Sequence, residues 1–362
     1  DRSAALPAGA GAMKAALRIA CLLLALALGG HVAPARADTT CTATAPTALA
    51  FGTITNGAAN PSNAMASFTI TCRTAALSVL GSASVRACLK IGTGSTGSSL
   101  LPTRSMANAS ADPMAFQLYT NAGRTTVWGA VAGGSPPAAV VTLTYSVPLL
   151  TGGSGAQSIT LYGQVPAAQV LSAGSFASNF TAANVSLEYA YNETIIGTAQ
   201  PPALCTTASG VSGHKTADSA FPFSVSANVL PQCSTYVTTE MDFGSNAGAI
   251  TANLDRTSTI GLTCINRTAY TIGLDNGQNA QGSTRRMRFT APDNSVYYIP
   301  YELYRNPARS QRWGSTINTD TLAGTGTGAA QTLTVYGRAP PTTGAIPAQG
   351  SYNDVITVTI TY

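Results

Sequence analysis

Charge is scarce in this chain. Lys, Arg, Asp and Glu make up 9% of its 362 residues, against roughly a quarter in an ordinary soluble domain. Beyond residue 37 there are fifteen basic and thirteen acidic side chains, so the electrostatic motive for nucleic-acid binding is missing. Histidine is scarcer still. His31 lies in the N-terminal segment and His214 is the only other one, which argues against a histidine-assisted nucleophile or a multi-histidine metal site. Residues 38–200 hold four acids, Asp38, Asp112, Glu188 and Glu193, a poor supply for the paired carboxylates of a glycosidase. After residue 37 there is no long apolar run and no sustained helical period. Disorder is not implied, because 45% of the residues are hydrophobic and net charge is small.

What is present begins with a leader. Met13-Lys14 opens a basic stretch, Ile19 to Leu28 is a short apolar run, and Ala35-Arg36-Ala37 has the small-x-small form of a cleavage site. Residues 1–37 are therefore expected to be an N-terminal extension and export signal, removed from a mature chain that starts at Asp38. Export makes disulfides permissible. Six cysteines remain: Cys41, Cys72, Cys88, Cys205, Cys233 and Cys264.

An internal repeat orders them. Cys41 precedes Phe51-Gly52 by ten residues and Cys233 precedes Phe243-Gly244 by ten; Phe51 to Cys72 and Phe243 to Cys264 are both 21. Downstream, Arg104-Ser-Met106 answers Arg286-Met287, Leu118-Tyr119 answers Leu303-Tyr304, Trp128-Gly129 answers Trp313-Gly314, and Tyr162-Gly163-Gln164 answers Tyr336-Gly337-Arg338. The repeat predicts Cys41–Cys72 and Cys233–Cys264, leaving Cys88 for Cys205. Thr, Val, Ile and Tyr recur with period two between Gly, Pro, Asn and Ser clusters, as in SFTITC, SITLYG, FSVSANV and DVITVTITY, which reads as short strands throughout. The expectation is an all-β chain of two tandem immunoglobulin-like sandwiches, spanning 38–200 and 201–362, with 201–229 a linker or an internal strand. In the last strand Ile356, Val358, Ile360 and Tyr362 share one face.

The ordered set Cys, Phe-Gly, Cys, Arg-x-Met or Arg-Met, Leu-Tyr, Trp-Gly, Tyr-Gly-Arg/Gln, Gly-Ser-Tyr/Phe and a terminal alternating strand resembles the spore coat protein U domain family, twice over. The second copy fits closely in ARSQRWG, LTVYGRAP and QGSYNDVITVTITY; the first departs at Gln164 and Phe176 and in its longer spacing. The resemblance implies a secreted, non-enzymatic subunit without cofactor or metal. It implies in particular the tip adhesin of an archaic chaperone–usher pilus, with a surface-binding first domain and a pilin second domain. A non-tip structural subunit of a pilus or of a spore or cell coat is the alternative, and a secreted carbohydrate-binding or hydrolytic protein a distant third. The implied partners are a periplasmic chaperone, an outer-membrane usher, an adjacent pilin subunit and a host or abiotic surface. The implied place is the fimbrium at the cell surface, and the implied outcome is attachment and biofilm formation.

The two copies differ in ways that suggest a division of labour. Cys72 to Met106 is 34 residues against 23 from Cys264 to Met287, and Trp128 to Tyr162 is 34 against 23 from Trp313 to Tyr336. Loops carry function on a sandwich, and these insertions hold Val79-Leu80, Leu100, Leu101, Pro136-Pro137, Val140-Val141, Val147, Leu149 and Leu150. Leu100, Leu101, Val147, Leu149 and Leu150 are the candidate surface-binding residues; the competing expectation is that the insertions lengthen buried strands. Other motifs read as structure: Gly92 to Gly97 as a turn, Trp128 and Trp313 as core, Arg285-Arg286-Met287-Arg288 as paired charge, and His214 as a solvated linker residue.

The resemblance also implies an incomplete sandwich completed by a neighbour's N-terminal strand. A mature chain starting at Asp38 offers no such extension before Cys41. Phe223, Val225, Ala227 and Val229 instead form a period-two stretch between the copies, expected to serve internally. The second domain is then expected to end one strand short, with Ile356, Val358, Ile360 and Tyr362 lining the groove that accepts a strand.

Overall fold

The computed structural model describes residues 38–76, 81–130, 135–207, 210–344 and 346–362, so the expected leader and Val79-Leu80 lie outside the described part. Every long described element is a strand, and one 3-10 turn, Ala182–Asn184, interrupts them. Two sandwiches follow one another.

In the first, one sheet has β1 (Thr39–Ala43), β3 (Ser62–Thr74), β8 (Gly153–Val165), β6 (Pro113–Tyr119), β5 (Arg104–Ala107), β9 (Gly174–Phe180), β12 (Phe223–Val229) and β2 (Leu49–Thr53), in that spatial order. The facing sheet is β11 (Gly213–Asp218), β10 (Val185–Thr194), β4 (Gly81–Ile91) and β7 (Ala139–Val147). The second sandwich packs β13 (Cys233–Thr238), β14 (Leu254–Cys264), β19 (Ala330–Ala339), β17 (Val296–Tyr304) and β16 (Arg285–Thr290) against β18 (Leu322–Thr325), β15 (Ala269–Leu274) and β20 (Val358–Thr361). Alternation sets the cores: in β3, Ala66, Phe68, Ile70 and Cys72 turn inward, and in β12 Phe223, Val225, Ala227 and Val229 do so.

The expected division at residue 200 moves. β11 and β12 both hydrogen-bond into the first sandwich, so its sheets run through Val229 and the second pair begins at Cys233. His214 is accordingly not a linker residue. It sits in β11 opposite Ala190, with Nε2 3.0 Å from Glu188 Oε1 and Nδ1 3.1 Å from Thr207 Oγ1. The two sandwiches meet through Arg267 on Asp112 (3.1 Å), Asn266 Nδ2 donating to Ser172 (2.9 Å), and the Ala173 amide donating to the Asn266 carbonyl (2.8 Å).

All three expected disulfides are formed, Cys41–Cys72 and Cys233–Cys264 from the repeat and Cys88–Cys205 by elimination. The first and third join directly opposed residues of adjacent strands. The Phe-Gly and Tyr-Gly motifs also explain one another. A Cβ on Gly163 would meet Leu49 and Phe51 at 2.6 and 2.9 Å, and one on Gly337 would meet Met241 and Phe243 at 2.8 to 3.1 Å. Only glycine lets the Phe-Gly segment lie this close across the strand.

Candidate functional site

Each domain is fastened by a buried arginine. Arg104 is fully buried, donating from Nε to the Gly92 carbonyl (2.7 Å), from Nη2 to those of Ile91 (3.0 Å) and Trp128 (2.5 Å), and from Nη1 to Gln117. Burial lowers its pKa to about 10. Its counterpart is Arg285, bound to the carbonyls of Leu274, Asp275 and Trp313 and to Glu302. The sequence alignment of Arg104 with Arg286 is thus corrected by one residue. Both arginines stand two before a methionine, and Arg286 points the other way, 4.0 Å over the Tyr298 ring. Trp128 and Trp313 are fully buried, each donating its indole N–H to a carbonyl of the facing sheet, Leu89 and Ile272, at 2.8 Å. The Gly92 to Gly97 string is a loop between β4 and β5 with no helix after it.

The two long insertions of the first domain lie together. Val85 pairs with Leu143, Ser84 with Thr144, and so on to Gly81 with Val147, whereas the matching strands of the second domain, β15 and β18, pair only from Ile272–Leu322 to Ala269–Thr325. Both insertions therefore lengthen neighbouring strands at one end, where residues 148–152 turn from β7 into β8. On β3 and β8 this end is Thr74–Gly153, while Ser62–Val165 is the other. The segments that meet the second domain follow from that other end, roughly 40 Å away for 13 residues at ~3.3 Å each.

Val147 is a correction: it is fully buried against Ala83, because it is an inward position of lengthened β7. Leu149 and Leu150 are exposed, Leu150 at 83%. Ile195 and Ile196, which the sequence reading passed over, are exposed at the same end, since the β10–β11 segment folds onto β4 through Ser82, whose hydroxyl donates to the Gly197 carbonyl (2.9 Å) and accepts from the Ala199 amide (2.6 Å). Leu100 and Leu101 are not part of this group. Their loop leaves the far end of β4, eleven residues from Gly81, and packs on Gln117 through the Leu100 carbonyl. Beneath the distal loops the interior is polar. Thr39 bonds Thr74 (2.7 Å) and Glu193 (2.6 Å), and Thr74 bonds Tyr145 (2.9 Å). Burial raises the Glu193 and Tyr145 pKa values, and it pushes Tyr191 to about 12.

A second candidate feature appears when the copies are superposed strand by strand. In the first domain β11 runs antiparallel along β10 and β12 antiparallel along β9, so 213–229 forms one broken strand beside another, 174–191. β12 also pairs in parallel with β2. In the second domain the counterpart of 174–189 is 350–362. The Ala107–Ala177 pair has its equivalent in the Arg288–Asn353 bridge, and β20 pairs with β15 as β10 does with β4. Among the described residues, no strand lies on the other side of 350–362. A groove of about 290 Å³ runs there, lined among others by Met241, Phe243, Leu303, Tyr352, Asp354 and Ile356. Of the four residues expected to line it, Ile356 and Val358 do so and are half-buried, while Ile360 packs half-buried on the core outside the groove and Tyr362 is exposed; Phe176 and Phe180, the counterparts of Tyr352 and Ile356, are covered by β12 and fully buried.

Comparison with known proteins agrees with the sequence. No curated protein matches the chain. Among solved structures it is similar to the chaperone–tip adhesion subunit pre-assembly complex of the archaic chaperone–usher Csu pili of Acinetobacter baumannii (15% identity, 89% of this chain and 100% of that one, TM-score 0.36). It is also similar to the CupB6 tip adhesin of Pseudomonas aeruginosa (10% identity, 90% and 94%, TM-score 0.31) and to the CfaE adhesin of CFA/I enterotoxigenic E. coli in a mutant form (8% identity, 76% and 81%, TM-score 0.29). The Spore Coat Protein U domain model matches residues 31–183 and 219–359. The chain belongs to the spore coat protein U domain family, whose domain it carries twice.

Proposed function

We propose that this chain is the tip adhesin of a chaperone–usher pilus, exported through the periplasm to the cell surface, where it mediates attachment and biofilm formation. Its first domain meets the surface, and its second takes a strand from the adjacent pilin. The observation that carries the reading is the difference between the two copies: 213–229 runs along the outer side of 174–191 in the first domain, and among the described residues no strand runs along the side of 350–362 that faces away from β15 and β16. A free edge over a half-apolar groove invites strand addition and aggregation. A periplasmic chaperone covers it before the pilin does, and an outer-membrane usher effects the exchange. With cleavage after Ala37, Thr39 already pairs in β1, so the mature chain accepts a strand and has none to give, which suits the tip alone. Leu149, Leu150, Ile195 and Ile196, at the end away from the second domain, form an apolar contact point of the kind that marks an interaction surface. Each buried aliphatic contributes only about 1.5–3 kcal/mol, so firm attachment comes from many pili acting together.

The test is to append, after Tyr362, a flexible linker and the N-terminal extension of the pilin encoded beside this chain. The extended protein should be monomeric, and the unfolding midpoint of its second domain should rise by more than about 10 °C, since ~1 kcal/mol moves such a midpoint by roughly 2–8 °C. An unchanged midpoint would remove the basis for strand acceptance.

A further inference from the structure

The groove of the second domain carries one feature that its filled counterpart lacks, a carboxylate facing inward. Residue by residue, Gly350, Tyr352, Asp354 and Ile356 stand where Gly174, Phe176, Ser178 and Phe180 stand in β9. In the first domain β12 sets Val229, Ala227, Val225 and Phe223 opposite those four. Val225 thus covers Ser178, a small, uncharged and fully buried side chain. The same position in the second domain is Asp354, which lines the groove and keeps part of its surface in water.

Asp354 is already well held. Its Oδ2 accepts from the Tyr301 hydroxyl (2.7 Å), and its Oδ1 accepts from the Asn279 amide (3.1 Å) and from Asn279 Nδ2 (3.1 Å). A carboxylate has about four acceptor sites, and three of them are used here; Oδ2 also packs against the Gly277 backbone, where a Cβ would meet it at 2.0 Å, and the carboxylate stays half-buried. A strand entering the groove along 350–356 takes the exposed part of this side chain out of water. If the incoming side chain is apolar, the remaining site is buried unpaired, which costs free energy, and more for a charged group than for a hydroxyl.

Resting on the strand-accepting reading above, we propose that Asp354 selects the incoming strand. It requires a hydrogen-bond-donating side chain at the third of four alternating inward positions counted from the strand's C-terminal end, between a large apolar residue opposite Ile356 and a small one opposite Tyr352. The strand runs antiparallel to 350–356, as β12 does to β9. The same carboxylate rejects the chain's own internal strand, which offers Val225 there. Copies of this protein are thereby kept from completing one another's second domains.

The probe is a peptide copying residues 221–231 and its Val225→Thr form, in which a hydroxyl replaces a methyl group with little change of shape. Both are titrated into the full chain and into its Asp354→Ser variant, which restores the polarity of Ser178, and affinity is read by anisotropy of a labelled peptide. The threonine peptide should bind the native chain about tenfold more tightly than the valine peptide, the factor that corresponds to ~1.4 kcal/mol. The preference should vanish or reverse in Asp354→Ser. If both peptides bind the native chain equally, selection by Asp354 is wrong while strand acceptance stands. If neither peptide binds either protein, while the appended pilin extension also leaves the second domain unchanged, strand acceptance fails and selection falls with it.

Discussion

Two adjacent arginines with nearly identical sequence surroundings have opposite fates. Arg285 is fully buried on three carbonyls and Glu302, whereas Arg286 bonds Gln281 and the Asn279 carbonyl near the surface and covers Tyr298. Removing one partner of a buried, bonded charge costs about 3–5 kcal/mol because the others are left unpaired, while an exposed cation–π contact contributes about 0.5–1 kcal/mol. Urea unfolding should therefore show Arg285→Ala crippling the second domain and Arg286→Ala losing no more than about 1 kcal/mol. Equal losses would mean that the alignment of Arg104 with Arg285 has no energetic meaning. The departure at Gln164 also becomes intelligible at this scale. Gln164 faces Asn63 and donates to it at 3.1 Å, and at the same positions Arg338 grips Asp255 at 2.7 and 2.8 Å. A neutral amide pair has replaced an ion pair as a unit. The Arg338 hydrogen bond holds the Asp255 carboxyl below its ordinary value of 3.8. A carboxylate with a lowered folded pKa stabilises fully above its unfolded value, and that contribution is lost as pH falls through the folded one. Below about pH 4 the second domain should lose stability that an Asp255→Asn, Arg338→Gln variant never had, so the two melting curves converge in acid. A constant gap between them from pH 7 to pH 3 would exclude this linkage.

At the scale of the element, period-two alternation makes the strands holding SFTITC, SITLYG, NVSLEYAY, FSVSANV and DVITVTITY legible, and the repeat supplies two disulfides and leaves the third pair by elimination. What it could not supply was which end an insertion builds. Eleven extra residues twice over were visible, but that both lengthen β4 and β7 side by side depends on pairing between residues about sixty apart in sequence. For the same reason Val147 reads as a loop residue and is an inward strand position, and Leu100 and Leu101 read as companions of Leu149 and lie far from it. Ile195 and Ile196 were missed although a signal existed: two successive aliphatics break the alternation of β10 just where it leaves the sheet. The distal loops rest on a polar interior of Thr39, Thr74, Tyr145 and Glu193, so substitutions at the apices leave the apolar core untouched. Replacing Leu149, Leu150, Ile195 and Ile196 together by Asp should reduce attachment to a hydrophobic surface at least tenfold, with pili still present at normal density by immunogold labelling. Full attachment by normally piliated cells would show that adhesion lies elsewhere.

At the scale of the whole molecule, one chain contains a sandwich completed by its own segment 213–229 and, on the reading proposed above, an open one. The completing segment 213–229 reaches its place after an excursion from Thr194, and the Cys88–Cys205 disulfide pins that excursion to β4 within its own copy. A segment that fills a sandwich of the same design can also leave one molecule and fill another, which is the route to domain-swapped dimers. The disulfide closes off that route, because 206–229 cannot be exchanged without carrying β4 along. This gives Cys88 and Cys205 a role that explains why the second copy, which encloses no strand of this kind among its described residues, has no counterpart of either. The prediction is made on the C-terminally extended, self-complemented protein, so that only the first domain can exchange. Replacing Cys88 and Cys205 together by Ser should lower the stability of the first domain by about 2–5 kcal/mol. It should also produce dimers whose fraction rises with protein concentration in light scattering, while the disulfide-bonded parent stays monomeric. A variant that is destabilised but strictly monomeric at every concentration would reduce the bond to an ordinary staple, with no part in keeping the internal strand at home.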